Sequence, residues 1–368
     1  MLVIRQYLAF YVNITLKLNN NLPVQLFYGI FAKIKKIRIM TIRTFEAFAG
    51  YGSQMMALKR LESDYPEVHF EAVGISEIDP NPIKAYKAVH GDIPNYGDIS
   101  KIDWNEVPDF DLFTYSFPCQ DISISGLQKG FAEGSGTRSG LLWECTKAII
   151  AKRPKYLLME NVKALCSKKF MPDFQKWLDF LSEQGYSNKW QVLNAKKYGI
   201  PQNRERVFCV SVLGDDTYQF PEPFELKKHI KDILETPIAQ DTFYNEDYLH
   251  NLHWFDNSGK TYKNDSIIKL GNMFQSNHQS GTIYCINGCC GTIMLHHGTG
   301  TLVGIPDDNG GYKVKKLSSK EMFRCMGVDD NDIDKMIGAV GKTAAWKLAG
   351  NSIVVDVLYH IFKTMFVK

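Results

Sequence analysis

Cys119 stands in the run Tyr115-Ser116-Phe117-Pro118-Cys119-Gln120, directly after an apolar stretch, Phe110–Tyr115, that reads as a strand. Open α/β sheets bind ligands at the carboxyl ends of their strands, and a thiol placed there is a covalent nucleophile once it is held as thiolate. Two further polar groups sit at comparable places. Met159-Glu160-Asn161-Val162 closes the apolar run Tyr156-Leu157-Leu158, so the Glu160 carboxylate projects towards the same sheet edge. Pro201-Gln202-Asn203-Arg204-Glu205-Arg206 precedes another strand. Alternation puts Gln202, Arg204 and Arg206 on one face, where both cations reach one site. Each has an ordinary alternative: a strand-end charge for Glu160, a solvated salt-bridged strand for the arginines. In combination they describe nucleophilic chemistry at one edge of a sheet.

A second set of residues describes a ligand. Phe48-Ala49-Gly50-Tyr51-Gly52-Ser53-Gln54 lies between a strand and a helix. Its glycines allow positive φ and close approach, and the helix start offers free N–H groups. Met55 stands where the dinucleotide fingerprint has its third glycine. Glu77 ends the second strand, where a carboxylate can take both hydroxyls of a ribose, and Asp98 in Gly97-Asp98-Ile99 lies near the same edge. Together they imply an adenosine-containing ligand, with no pyrophosphate cradle to favour NAD. The stretch Asp121–Ser139 carries Gly126, Gly130, Gly134 and Gly136 among polar residues, a composition that suits a lid.

The elements that must position these groups alternate. Ile42–Phe48 reads as a strand, followed by a helix through Met55, Met56, Leu58 and Leu61. Val68–Ser76, Phe110–Tyr115, Lys155–Glu160, Trp190–Leu193 and Arg206–Leu213 read as further strands. Helices are predicted from about Leu141 to Lys152 and after Pro172, where Phe174, Trp177, Leu178 and Leu181 share a face and Gly185 ends the run. Such alternation predicts a parallel sheet with helices on both faces. The pattern breaks at Gly214. From there to Lys316 the chain is rich in Gly, Asn, Asp and His, with β-like pieces at Gly281–Ile286 and Gly291–Leu295. Ser318 and Glu321 form a capping-box pattern that restarts a helix, and a last amphipathic helix is expected over Ile353–Phe366.

The 368 residues are 45% hydrophobic and 23% charged, which excludes a disordered, collagen-like or coiled-coil chain. The net charge of +3 is unevenly spread. Residues 1–40 hold Arg5, Lys17, Lys33, Lys35, Lys36 and Arg38 and no acid, leaving 37 basic against 40 acidic residues, a balance of −3, in the body. The apolar runs Leu8–Val12 and Leu26–Ile34 fall short of the roughly 20 residues that span a bilayer. The main basic cluster follows those runs, the reverse of a secretory signal. Residues 1–40 are therefore expected to be a dispensable extension, with Met40-Thr41 opening the functional chain. Eight cysteines without an export signal indicate a reduced, cytoplasmic protein. Cys285, Cys289 and Cys290, near His296 and His297, match no common zinc spacing, so buried thiols and no metal are expected.

The motifs in their order resemble those of the bacterial and phage DNA (cytosine-5)-methyltransferases. Phe48–Gln54 is similar to the family's F-x-G-x-G turn, Phe117-Pro118-Cys119-Gln120 to its nucleophile motif and Glu160-Asn161-Val162 to its E-N-V motif. Gln202-x-Arg204-x-Arg206 is similar to Q-x-R-x-R, and Leu317–Gly327 and Gly350-Asn351-Ser352 to the last two blocks. The likeness runs from Ile42 to Lys368. It departs at Ile78, where an aromatic often follows the ribose-binding acid, and at Gly291-Thr292-Ile293, which matches the family's Thr-Leu signature only approximately.

The resemblance implies a Rossmann-like methyltransferase fold, a doubly wound and mostly parallel sheet with a smaller β-rich target-recognition domain. It implies a catalytic domain over 41–213 plus 340–368, a target-recognition domain over 214–316 and a connecting helix over 317–339. S-adenosylmethionine would be the cofactor and S-adenosylhomocysteine the product. Phe48, Ala49, Gly50, Gly52, Ser53, Gln54, Glu77, Ile78, Asp98, Ile99, Pro118, Asn351 and Ser352 would line its site. Phe48 would pack on adenine, Glu77 hold the ribose, Asp98 the adenine amine, and Asn351 close the site. Cys119 would add to C6 of a flipped-out cytosine, Glu160 would act at N3 and the exocyclic amine, Arg206 at O2, and Arg204 would order the nucleophile's surroundings. Gln120, Ser123, Ser125, Gln128 and Thr292 are expected to face DNA, and Lys196, Lys197, Lys313, Lys315 and Lys316 its phosphates. The partner would be double-stranded DNA, met by a monomer near the nucleoid, with a restriction endonuclease as a functional and not a physical partner. The rivals are a tRNA methyltransferase, a non-catalytic DNA-binding relative and an unrelated oxidoreductase. The long insertion favours DNA, and the intact Cys119, Glu160 and Arg206 favour catalysis.

Overall fold

A computed structural model describes residues 39–123, 129–214, 217–245, 249–293 and 300–367. Most of the N-terminal extension, with Ser125, Gly126 and Gln128 of the predicted lid and Leu295 to His297, lies outside the described residues. The chain forms a six-stranded and a five-stranded sheet. In the first, β1 (Met40–Ala47) lies between β2 (Val68–Ser76) and β3 (Leu112–Tyr115), parallel to both. β4 (Tyr156–Val162) continues parallel to β3. Strand order reverses between β1 and β3, so their carboxyl ends open the crevice in which such sheets bind ligands.

The sheet is mostly parallel, as expected, with one strand running against the rest. β6 (Glu205–Leu213) inserts between β4 and β5 (Tyr186–Asn194) and runs antiparallel to both. The reason is the connection Ala195–Arg204, which contains one 3₁₀ turn and no α-helix, too little chain for a crossover. The chain therefore turns back on itself.

Helices cover both faces and strand alternation divides the core. On β1, Ile42 packs with α1 (Ser53–Asp64) and the last helix α8 (Val355–Phe366) through Leu58, Leu61 and Phe362. Phe45 and Ala47 point to the other face, where Phe113, Tyr115 and Trp177 and Leu181 of α4 (Met171–Glu183) are buried. The four apolar residues predicted for one face of α4 are its four buried residues. The remaining helices are α2 (Pro80–His90), α3 (Cys145–Lys152), α5 (Ser319–Arg324), α6 (Asp330–Val340) and α7 (Lys342–Gly350). α5 opens with the predicted capping box: Glu321 N–H donates to Ser318 Oγ at 3.2 Å and Ser318 N–H to Glu321 Oε2 at 2.8 Å.

Glu46 shares the Ile42 face of β1 and is buried. Tyr86 Oη donates to its Oε1 at 2.9 Å, while Oε2 has no hydrogen-bond partner among the described residues. Burial pushes this carboxyl up to about 7. The folded chain therefore binds more protons than the unfolded chain between pH 4.5 and 7. The contribution is fully present below pH 4.5 and lost as pH rises through 7, by up to about 3 kcal/mol. Glu46→Gln should flatten the fall of melting temperature between pH 5 and 8; an unchanged slope would show that the carboxyl is not the group responsible.

The second sheet has the order β11–β10–β9–β8–β7, with β7 His253–Trp254, β8 Lys269–Asn272, β9 Thr282–Cys285, β10 Leu302–Pro306 and β11 Tyr312–Lys316. β9 fulfils the first β-like piece. The second is no strand across Gly291–Ile293, because that stretch docks on the loop before β6. Cys290 N–H donates to the Pro201 carbonyl at 3.0 Å and Ile293 N–H to Gln202 Oε1 at 3.1 Å. Cys289 and Cys290 are buried thiols there, and Cys285 is half-buried.

Candidate active site

The turn after β1 carries positive φ at Phe48 (55°), Gly50 (58°) and Gly52 (84°). Gly52 caps α1 without a side-chain hydrogen bond, and a Cβ there would lie 2.4 Å from His90 Nε2 and 2.7 Å from the Tyr86 ring. Gly52→Ala must therefore strain the backbone and displace α2, at a cost of about 2–4 kcal/mol. A drop in melting temperature of about 5 °C or more should accompany at least tenfold weaker S-adenosylhomocysteine binding by calorimetry. Unchanged binding would release this turn from the ligand site.

Glu77 braces the turn. Its Oε2 accepts from Gly50 N–H at 2.9 Å, and its Oε1 from Ile78 and Asp79 N–H at 2.8 and 2.9 Å. Carboxylate oxygens hold two lone pairs each, so these three bonds leave one acceptor site, on Oε2, for one ribose hydroxyl and not the two expected. Asp98 Oδ1 accepts from the Ser100 N–H and hydroxyl, which hold the carboxyl below its usual range. Its Oδ2 lies 3.8 Å from Lys101 Nζ. Ile78 is 70% exposed and Phe48 half-buried, so two apolar side chains stand at the same cavity as two carboxylates. That donor and acceptor set suits an adenosine.

The turn after β3 presents Cys119. Asn161 Nδ2 donates to the Phe117 carbonyl at 3.0 Å, and Ser139 Oγ donates to the Pro118 carbonyl at 2.6 Å. The neighbouring strand end and the far end of the lid segment thus hold the turn from both sides. Glu160 is buried at the end of β4, and its Oε1 lies 3.3 Å from Arg206 Nε. Burial raises the Glu160 carboxyl, opposed by Arg206, Arg204 and a hydrogen bond from Ser116. Burial also raises the Cys119 thiol, with Glu160 adding to the rise and the two arginines opposing it.

Arg204 is buried and donates to the carbonyls of Ile293 (3.4 Å), Gly350 (3.1 Å) and Ser352 (2.6 Å). Burial, with Arg206 adding to it, pushes its guanidinium down to about 9. Gln202 does not join the two arginines at the cavity. Its Nε2 donates to the Cys325 carbonyl at 2.7 Å, and β6 begins only at Glu205. Gln202 N–H bonds Ile200 and Arg204 N–H bonds Gln202, so the chain turns where alternation was assumed.

One continuous cavity of about 870 Å³ joins these groups. Its wall includes Phe48, Glu77, Asp98 and Ile99 at the nucleoside end, and Pro118, Cys119, Glu160, Arg204 and Arg206 at the chemical end. Ala49, Gly50, Ser53, Gln54, Ile78, Asn351 and Ser352 also line it; Gly52 does not, acting behind the turn. Sequence reasoning missed Tyr51, Ser116 and the stretch from Val340 to Leu348, including Lys342 and Lys347. The only signal for that stretch was its closeness in sequence to Asn351.

Of the residues expected to face DNA, Gln120 lines the cavity, and its Oε1 accepts from Arg138 at 2.9 Å. Ser123 is half-buried, its N–H donating to the Cys119 carbonyl. Thr292 Oγ1 donates to the Asn203 carbonyl at 2.8 Å. Lys315 is corrected: it is 1% exposed and forms a buried ion pair with Glu321, out of reach of a phosphate. Lys196 and Lys197 both pair with Asp265, Lys316 lies over the Trp346 ring, and Lys313 is exposed.

The sequence profile of the C-5 cytosine-specific DNA methylases matches residues 42–367. The chain belongs to the C-5 cytosine-specific DNA methylases. It is 37% identical over 380 residues to the type II methyltransferase M2.ScrFI of Lactococcus lactis subsp. cremoris, covering 88% of this chain and 99% of the relative. The orphan methyltransferase M.SssI of Spiroplasma monobiae is 30% identical, over 89% of this chain and 97% of its own. The fold is shared with the Entamoeba histolytica methyltransferase EhMeth, with a TM-score of 0.68 at 15% identity, over 89% and 98% of the two chains. The protein is thus a DNA cytosine-5 methyltransferase of the restriction-modification or orphan type. Among the described residues no helix is long and apolar enough to cross a membrane.

Proposed function

We propose that this methyltransferase uses S-adenosylmethionine to methylate C5 of a cytosine held out of the duplex in the cavity, with Cys119 as covalent nucleophile. The observation that carries this is the convergence of Cys119, Glu160 and Arg206 on the cavity that also holds Glu77, Asp98, Phe48 and Ile78. The Cys119 sulfur adds to C6, and the displaced electron pair moves into the ring towards N3 and O2. Glu160, its carboxyl raised by burial, supplies a hydrogen bond or proton at N3, and Arg206 meets O2. S-adenosylmethionine supplies an electrophilic methyl on a sulfonium to the resulting nucleophilic C5. With the thioether S-adenosylhomocysteine as leaving group, the C5 proton passes to water, Cys119 leaves as thiolate, and N3 returns any proton it took to Glu160, which restores the ring. Attack from above the base plane requires the base to leave the stack.

Residues 41–213 and 340–368 then form the catalytic unit, 317–339 the connection, and 214–316, with the second sheet, the unit that reads neighbouring base pairs. Incubation with tritiated-methyl S-adenosylmethionine on duplex DNA and tRNA side by side tests the reading, with bisulfite sequencing of the DNA product. Label confined to tRNA, or to adenine, would overturn it. A chain starting at Met40, where β1 begins, should retain DNA methylation; its loss would make the extension functional.

A further inference from the structure

The turn after β1 and the pocket of Cys119 are joined by a hydrogen-bonded path through the segment returning from α7. Tyr51 is buried in the turn, its ring edge-on to Phe323 at 5.4 Å, and its Oη lies 2.5 Å from Ser352 Oγ. The Ser352 hydroxyl donates onward to the Ala349 carbonyl at 3.2 Å, so Tyr51 is the donor in the first contact. The carbonyl of the same Ser352 accepts the shortest of the Arg204 hydrogen bonds, at 2.6 Å. All three carbonyls that receive Arg204 belong to the backbone, and its Nε is buried without a partner. The place of this guanidinium is therefore set by where the Gly350–Ser352 backbone lies, and it stands with Cys119 on the wall of one cavity, where its charge opposes the rise of the thiol.

We infer that Tyr51 is a positioning residue for methyl transfer: its hydroxyl fixes Ser352 and, through the Ser352 carbonyl, sets Arg204 against Cys119. Order in the turn is thereby transmitted to the nucleophile. The inference rests on the proposed role of Cys119. Tyr51 also lines the cavity, so a role confined to ligand binding is the competing account. The two differ kinetically. Loss of uniform binding raises the ligand's dissociation constant and leaves the saturated rate alone, whereas loss of positioning lowers the chemical step.

Tyr51→Phe keeps the ring against Phe323 and removes one hydroxyl. Ser352→Ala removes the acceptor, and Ser352→Thr keeps it. Single-turnover methylation of duplex DNA at saturating S-adenosylmethionine should fall about tenfold in Tyr51→Phe and in Ser352→Ala. The double variant should be within about twofold of either single one, because the two hydroxyls act as a unit. Ser352→Thr should recover most of the rate lost in Ser352→Ala, and the loss of rate should exceed any loss of S-adenosylhomocysteine affinity at least about threefold in Tyr51→Phe and Ser352→Ala. A parental single-turnover rate in Tyr51→Phe, additive losses in the double variant, or a rate loss matched by loss of S-adenosylhomocysteine binding would each overturn the inference. Failure of the parent enzyme to methylate DNA would instead remove the proposed function beneath it.

Discussion

Replacing Cys119 by alanine should abolish methyl transfer and covalent capture together while leaving S-adenosylhomocysteine binding within about threefold of the parent. Among the described residues no other cysteine lines the cavity, so no second thiol can take over the addition to C6. Without that addition C5 does not gain the electron density needed to accept a methyl group. Loss of a covalent nucleophile from an otherwise intact site costs about 10⁴-fold or more. The sharpest readout is duplex DNA carrying 5-fluorocytosine. After methyl transfer the ring must shed the C5 substituent as a cation to expel the sulfur; a proton leaves this way and fluorine cannot. The parent chain should therefore migrate as a covalent protein–DNA complex on a denaturing gel, and Cys119→Ala should not. Parental methylation by the alanine variant, or no capture by the parent, would remove the covalent mechanism.

The place of a candidate residue at the cavity was legible where it depends on the residue's own strand. Cys119 lies in the turn just after β3 and Glu160 near the end of β4, and the apolar runs before them announce those ends. Arg206 lies inside β6, so alternation placed it correctly. Gln202 was misplaced because the turn at Ile200–Arg204 breaks the period before the strand begins. Lys315 shows the limit from another side. In sequence it is one member of the basic run Lys313, Lys315, Lys316 and reads as a phosphate contact. In space it meets Glu321, whose carboxylate also completes the capping box of α5. The box was visible as a helix start; its second use was not, because nothing local says which way β11 faces. The antiparallel β5–β6 pair was hidden similarly: alternating strands and helices fix neighbours only when the connection contains a helix. Nothing in the run around Tyr51 marks that residue, because its partner lies 301 residues away.

Glu160→Gln should move two measurements in opposite directions. The substitution keeps the side chain's volume and removes its charge from a buried position beside Arg206 and Cys119. Glu160 is one of the groups that raise the Cys119 thiol, second to burial. Its removal leaves the two guanidiniums acting on the sulfur unopposed, so the thiol should ionise more readily, and iodoacetamide should alkylate Cys119 faster in the free enzyme. Methylation should nonetheless slow. The neutral amide cannot transfer a proton to N3, and a preorganised group facing developing charge is worth about 10²–10³-fold in the chemical step. Easier ionisation of the thiol offsets only part of this loss, so a net fall of about 10–100-fold is expected in single-turnover methylation, alongside the gain in alkylation. Faster alkylation with unchanged methylation would confine Glu160 to tuning the thiol. Slower alkylation would mean that the carboxylate acts as a base towards Cys119 and not as the partner of N3.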